Sequence, residues 1–269
     1  GDKWGYVDDD RWGYIDKTGK IAINPQFDKT FGFKDGLANV EIDDKWGFID
    51  KTGKTVINPQ FEFASNFYDS GLALIKLGKK WGYINKEGKI VINPQFDDAN
   101  NFSAGLAMIT VSGKIGYIDT TGKIVINPQF DKAQDFTADG FAGVNTGGRG
   151  GYVDKTGKML DIGTGYESMQ WNFSEGLVGV QRGGKWGFID KTGKMVIDHQ
   201  FDEVWSFDNG LARVKIGNKL GYIDKQGKYV FTPTNWKSFR PVMPRRFAAG
   251  HFCMCSISEM TQRDTGLSR

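Results

Sequence analysis

Residues 71–96 read GLALIKLGKKWGYINKEGKIVINPQF, and apolar and polar positions alternate along three runs within them. The runs are GLALIK, WGYIN and IVINPQF, separated by the short polar stretches LGKK and KEGK. Two-residue alternation over five to seven positions predicts half-buried strands, and connections this short join strands antiparallel. The stretch therefore predicts a three-stranded antiparallel meander.

The pattern recurs along the chain, and internal repetition decides the fold before any single motif does. Aligned on an apolar–Gly pair, the copies begin at Trp12-Gly13, Trp46-Gly47, Trp81-Gly82, Ile115-Gly116, Gly150-Gly151, Trp186-Gly187 and Leu220-Gly221, at offsets of 34 to 36 residues. A partial copy, KWGYVD, precedes them, so residues 1–11 read as a partial repeat and 12–239 as the array. The consensus is (K)WG(Y/F)IDKTGK-x-VINPQFD, then about seven variable residues and G-LA-x-V. These residues resemble the WG (KWG) repeat family over about positions 3–233, and the resemblance implies a bacterial origin and an interaction role without naming a ligand.

Turn chemistry supports the strands. The Asp-Lys-Thr-Gly connection places Gly19, Gly53, Gly88, Gly122, Gly157, Gly193 and Gly227 where a tight turn needs positive φ. The Asp that opens it, as in Asp16 or Asp50, can accept N–H bonds within the turn. Pro25, Pro59, Pro94 and Pro128 cannot donate to a ladder, which predicts an edge or a strand end. The connection after NPQF is polar around one Phe (Phe31, Phe67, Phe102, Phe136) and predicts a loop with at most a helical turn. One meander cannot bury both faces, so each copy needs its neighbours. The expected fold is all-β: an open solenoid of stacked meanders, with a closed propeller as the alternative.

Composition narrows function by exclusion. Charge is nearly balanced, 35 Lys+Arg against 32 Asp+Glu, so no basic field favours nucleic acid. No apolar run has the length of a membrane span. With only His199 and His251, and with Cys253 and Cys255 both near the end, the array has little to build a nucleophile or a metal site from. Identical copies supply like groups in rows, whereas a catalytic set needs unlike groups converging. The chain is therefore expected to be no enzyme and to need no cofactor or metal.

Comparing copies sorts the remaining residues. Trp12, Trp46, Trp81 and Trp186 are replaced by Ile115, Gly150 and Leu220 elsewhere, which fits packing better than an aromatic ligand platform. Gly13, Gly47, Gly82 and Gly187 beside them mark a bulge or a closely approaching neighbour. Tyr and Phe exchange two residues after the Trp, so the hydroxyl reads as dispensable. A second acid follows NPQF (Asp28, Glu62, Asp97, Asp131, Asp202) and reads as a solvated charge. In the G-LA-x-V strand, Ala38 and Val40 and their equivalents share one inward face. The alternating positions vary freely, and Asn39, Glu41, Leu74, Lys76, Met108, Thr110, Arg213 and Lys215 form the candidate binding surface. The copy beginning at Gly150 (TGGRGGYVDKTGKMLDIGTGYESMQWNF) lacks both the Trp of the WG pair and NPQF, with Tyr166 standing in for the Phe and glycines surrounding Arg149. Residues 240–269 break from the repeat composition and read as a disordered or out-of-frame tail.

The expected function is a binding or scaffolding surface for a protein or glycan. The alternatives are an accessory region of a larger enzyme or a surface spacer. Compartment and partner are not written in these residues.

Overall fold

The computed structural model describes residues 3–68 and 70–235, so the expectation for 240–269 lies outside the described residues. Those residues form seven small antiparallel sheets and no helix. Sheet 1 comprises Lys3–Asp8, Arg11–Asp16 and Ile21–Phe27. Sheet 2 comprises Lys29–Thr30, Leu37–Ile42, Lys45–Asp50 and Thr55–Phe61, hydrogen-bonded in that order. Sheet 3 (Phe63–Ala64, Ala73–Leu77, Lys80–Ile84, Ile90–Phe96) and sheet 4 (Asp98–Ala99, Leu106–Val111, Lys114–Asp119, Ile124–Phe130) repeat the order. Sheet 5 has Lys132–Ala133, Phe141–Thr146 and Arg149–Asp154. Sheet 6 has Ser168–Met169, Leu177–Arg182, Lys185–Asp190 and Met195–Phe201. Sheet 7 has Glu203–Val204, Ala212–Ile216, Lys219–Ile223 and Tyr229–Asn235. The chain divides into two compact units, Gly1–Gln129 and Phe130–Arg269.

The predicted three-strand meander is present, with an addition. A two-residue strand drawn from the connection after NPQF joins six of the sheets, as where Lys29 and Thr30 pair with Glu41 and Val40. The sheets are also out of phase with the sequence copies. Copy 46–80 supplies the last two long strands of sheet 2 and the short and first long strands of sheet 3. Each covalent repeat therefore ties two consecutive sheets together.

Where a third long strand is present it is an edge strand, and in sheets 1 to 4 it carries the Pro (Pro25, Pro59, Pro94, Pro128), while sheet 6 has His199 in that place. It bulges over the Gly of the WG pair. In sheet 2 the register runs Trp46↔Phe61, Phe48↔Ile57 and Ile49↔Thr55, so the edge strand carries extra residues opposite Gly47. A Cβ on Gly47 would lie 2.5 Å from the Ile57 carbonyl oxygen and 2.6 Å from the Pro59 nitrogen. Backbone, not ligand, excludes a side chain there. Turn glycines follow the predicted geometry, with φ between 78° and 90° at Gly19, Gly53, Gly88, Gly122, Gly157, Gly193 and Gly227. The edge bulge, the Pro and the short paired ladder all discourage edge-to-edge association.

Within each unit, cores lie between consecutive sheets. In the first unit, Tyr14, Ile23 and Phe27 of sheet 1 meet Ala38, Val40 and Ile49 of sheet 2. Trp46, Phe48, Ile57 and Phe61 of sheet 2 meet Ala64, Ala73, Ile75 and Ile84 of sheet 3. In the second unit, Trp186, Phe188, Ile197 and Phe201 of sheet 6 likewise meet Val204, Ala212, Val214 and Ile223 of sheet 7. One face of each sheet is large and aromatic and the opposing face is small and branched, so the layers interlock. The connection Phe completes each layer, with ring centroids 5.0 Å apart for Phe48–Phe67 and for Phe188–Phe207. In the first connection Phe33 takes this place against Tyr14, at 4.8 Å, and the expected Phe31 is 48% exposed. Burying one such ring contributes roughly 2–3 kcal/mol that an isolated meander would lack.

Candidate interaction surface

The Trp side chains of the WG pairs pack against the cores between sheets. Trp46 and Trp186 are each only 6% exposed, too little for either ring face to stack on a sugar or base. Trp12 and Trp81 are partly buried, and Gly13, Gly82 and Gly187 sit under the same edge-strand backbone as Gly47. The tyrosine hydroxyl has work that the sequence comparison missed. Tyr14 and Tyr83 donate to the Phe31 and Asn100 carbonyl oxygens at 2.8 and 2.6 Å, and Tyr152 donates to that of Gln170, tying each ring to the next connection. Burial pushes the Tyr14 phenol up to about 12 and Tyr152 up further.

The proposed binding face is not a solvent face. Asn39 is 0%, Glu41 6% and Leu74 5% exposed, which corrects the expectation for these residues. Lys76, Met108, Thr110, Arg213 and Lys215 are partly buried. Alternation correctly separates two faces of this interior strand, but neighbouring structure covers both. The Asn39 amide nitrogen donates at 2.7 Å to the Ala64 carbonyl of the next sheet. The variation among copies instead follows cross-strand partners. Glu41 lies between Lys29 and Trp46, and Lys215 between Glu203 and Leu220. Sheet 2 thus pairs Lys29 with Glu41 at 2.8 Å, and sheet 7 pairs Glu203 with Lys215 with the charges exchanged. Where Phe63 replaces the short-strand charge, Lys76 instead lies 5.2 Å over the Trp81 ring.

Acids that read as solvated charges also have defined partners. Asp97 accepts from Lys80 at 2.6 Å and from the Ser112 amide at 2.7 Å, clasping hairpins of sheets 3 and 4. Both contacts hold its carboxyl below the usual carboxylate value, the lysine contact more strongly. Asp28 clasps Arg11 and the Asp43 amide in the same way, and Asp202 clasps Lys185 and the Gly217 amide. Asp16, Asp50, Asp119 and Asp190 each accept from the turn Thr hydroxyl at 2.6 Å and from two backbone amides, which lowers their carboxyls. In the copy beginning at Gly150, Tyr166 does stand in the place of the Phe. Glu167 beside it accepts from the Gly183 and Gly184 amides, as Asp131 does from Gly147.

One recurring set of exposed apolar side chains lies at the start of the edge strand, apart from scattered ones such as Trp4, Phe31 and Met159. Ile21, Val56, Ile90, Val91, Ile124, Val196 and Val230 are 39–61% exposed, each within two residues of an exposed lysine that follows the turn glycine. The consensus K-x-V-I-N-P-Q-F already contained this signal, since its first apolar positions have no opposing strand on the outer edge. Among the described residues, no group of three or more His, Cys, Asp or Glu is placed to hold a metal ion. Among the described residues, no helix is long and apolar enough to cross a membrane.

A family model described as WG containing repeat matches residues 12–46, 46–81, 81–114, 115–149, 151–186 and 186–219. No curated protein sequence matches the chain significantly. Among solved structures, a crystal structure of the eukaryotic initiation factor aligns with TM-score 0.55 at 10% identity, covering 86% of this chain and 73% of that one. Kluyveromyces lactis Hsv2p aligns with TM-score 0.41 at 9% identity, over 71% of each chain. The first of these likenesses is one of fold alone.

Proposed function

The chain belongs to the WG containing repeat family, and on that premise we propose that it is a non-catalytic binding or scaffolding array that receives a protein partner on the edge strands of its sheets. The observation that carries the reading is the recurring pair of an exposed branched side chain and an exposed lysine, at Ile21, Val56, Ile90, Val91, Ile124, Val196 and Val230. Apolar side chains rimmed by charge suit a protein interface. A glycan platform would need flat exposed rings recurring along the array; Trp46 and Trp186 are buried, and the exposed rings of Trp4 and Phe31 do not recur. The recurrent carboxylates support a role without chemistry, because they are already engaged and held below the ordinary range, Asp16, Asp50, Asp119 and Asp190 first by the turn Thr hydroxyl, Asp97 and Asp202 first by Lys80 and Lys185, and all of them also by backbone amides. A general acid or base needs a value near the working pH.

Photo-crosslinking from position 91 identifies the protein that contacts the rim, and its affinity is then measured for a variant carrying Ile90→Lys, Val91→Lys and Ile124→Lys. The expected result is a loss of about tenfold or more, since each buried aliphatic side chain contributes roughly 1.5–3 kcal/mol, with the unfolding midpoint unchanged. Unchanged affinity would exclude the edge strands as the docking site.

A further inference from the structure

The copy beginning at Gly150 lacks the bulged edge strand, and the loop in its place, residues 160–167, is held by a stack of side chains that no other copy shows among the described residues. The Tyr166 ring lies 5.9 Å from the His199 imidazole, tilted by 34°, and the Arg182 guanidinium lies 4.8 Å from the same ring. Arg182 also donates to the Thr164 carbonyl. Leu160 is tied to the preceding sheet through its amide, which donates to the Tyr152 carbonyl at 2.8 Å. His199 stands where other copies carry Pro25, Pro59, Pro94 and Pro128, so nothing in the repeat's backbone requires an imidazole there. Its Nε2 is buried and has no hydrogen-bond partner.

We propose that His199 is an acid-sensitive latch on the 160–167 loop: the neutral imidazole keeps the loop packed, and protonation releases it. In the imidazolium both ring nitrogens are donors. Protonation therefore leaves a charged N–H at Nε2 without an acceptor, beside the Arg182 cation, and that arrangement is costly while the site stays closed.

The surrounding charges offset this only in part, through Asp198, which favours the imidazolium. Asp198, next to His199 on its own strand, is exposed. In the loop, Asp161 is bonded to the Gly163 amide, and Glu167 is bonded to the Gly183 and Gly184 amides. Burial first, and the Arg182 charge second, hold the imidazole below its ordinary 6.5. The sign follows from linkage: closure is at full strength above about pH 6.5, and the open loop takes up the proton as pH falls below it. Opening would uncover Leu160, Ile162 and Tyr166, which now pack on the core of sheet 6.

Hydrogen–deuterium exchange of the full chain between pH 7.5 and 5.0, corrected for the intrinsic pH dependence of exchange, reads the latch. Opening of 160–167 should rise by up to about tenfold per pH unit below about 6.5, while the Pro-containing copy at 90–103 stays flat. His199→Gln and His199→Pro, the latter being the residue of the other copies, should both abolish the rise. Acid opening that persists in both variants, or its absence from the wild type, would overturn the proposal. A ring-proton titration of wild-type His199 checks it without any variant: a midpoint below 6.5 is expected, and one at or above 6.5 contradicts it.

Discussion

Glycine beside tryptophan is the residue on which the repeat's geometry turns, and its role is measurable because one copy lacks the cause. A Cβ on Gly82 would come within 2.6 Å of the Ile92 carbonyl oxygen and 2.7 Å of the Pro94 nitrogen. On Gly151, where no bulged strand exists, it would meet only the flexible Met159 methyl, at 2.7 Å. Gly82→Ala should destabilise the protein by about 2 kcal/mol or more, in line with other overpacking substitutions. Gly151→Ala should cost well under about 1 kcal/mol. Denaturant unfolding of the two variants checks the contrast, and equal losses would refute the backbone explanation. Ala104 tests a turn. It has φ of 50°, where Asp35, Glu175 and Asn209 hold the same place in other copies. The left-handed region costs an alanine about 1 kcal/mol, so Ala104→Gly should raise the unfolding midpoint. The bulge at the WG pair was legible in the sequence as an unchanging Gly. The hydroxyl of Tyr83 was not, because Phe48 and Phe188 fill the same place and hide the bond that the tyrosine makes.

Among elements, the short strand carries most of what sequence reading missed. Two residues, such as Lys29–Thr30, are too few to show alternation, and they lie inside a polar connection that reads as loop. Once that strand is present, the variable residues opposite it become structural partners. Lys29→Glu should destabilise sheet 2, because it leaves the nearly buried Glu41 facing a like charge. Adding Glu41→Lys, the polarity that sheet 7 uses at Glu203–Lys215, should recover much of the loss. A coupling of about 0.5–1 kcal/mol is expected from a double-mutant cycle. A cycle that closes to zero would leave the exchanged charges without a structural reason. The aromatic layers, by contrast, were legible: Ala38 and Val40 turn inward as their alternation predicts.

At the scale of the molecule, the same small interaction recurs at turn after turn, so its pH dependence is collective. Asp16, Asp50, Asp119 and Asp190 have carboxyls lowered first by the turn Thr hydroxyl. A lowered carboxyl contributes stability that is fully present above its unfolded value of about 3.9 and is lost as pH falls through the folded value. Each turn is exposed, so each contribution is small. The melting temperature should therefore hold steady from about pH 7 to 5 apart from the local His199 step, and fall steeply below about pH 4. Replacing Asp50 and Asp119 by Asn, as copy three has at Asn85, should flatten that acid limb. An unchanged limb would place the acid sensitivity elsewhere.

The sequence by itself determined the long strands, the repeat and the turns, because these depend on alternation, on positive φ and on hydrogen bonds within a few residues of one another. Only the tertiary structure decided what each face meets. Alternation assigns Asn39 and Leu74 to one side of a strand, but whether that side touches water depends on the sheet laid over it, and that sheet begins in the next copy. The physical reason is range: a strand's own residues set its conformation, while burial is set by groups about 25 to 35 residues away along the chain, such as Ala64 for Asn39 and Asn101 for Ser65.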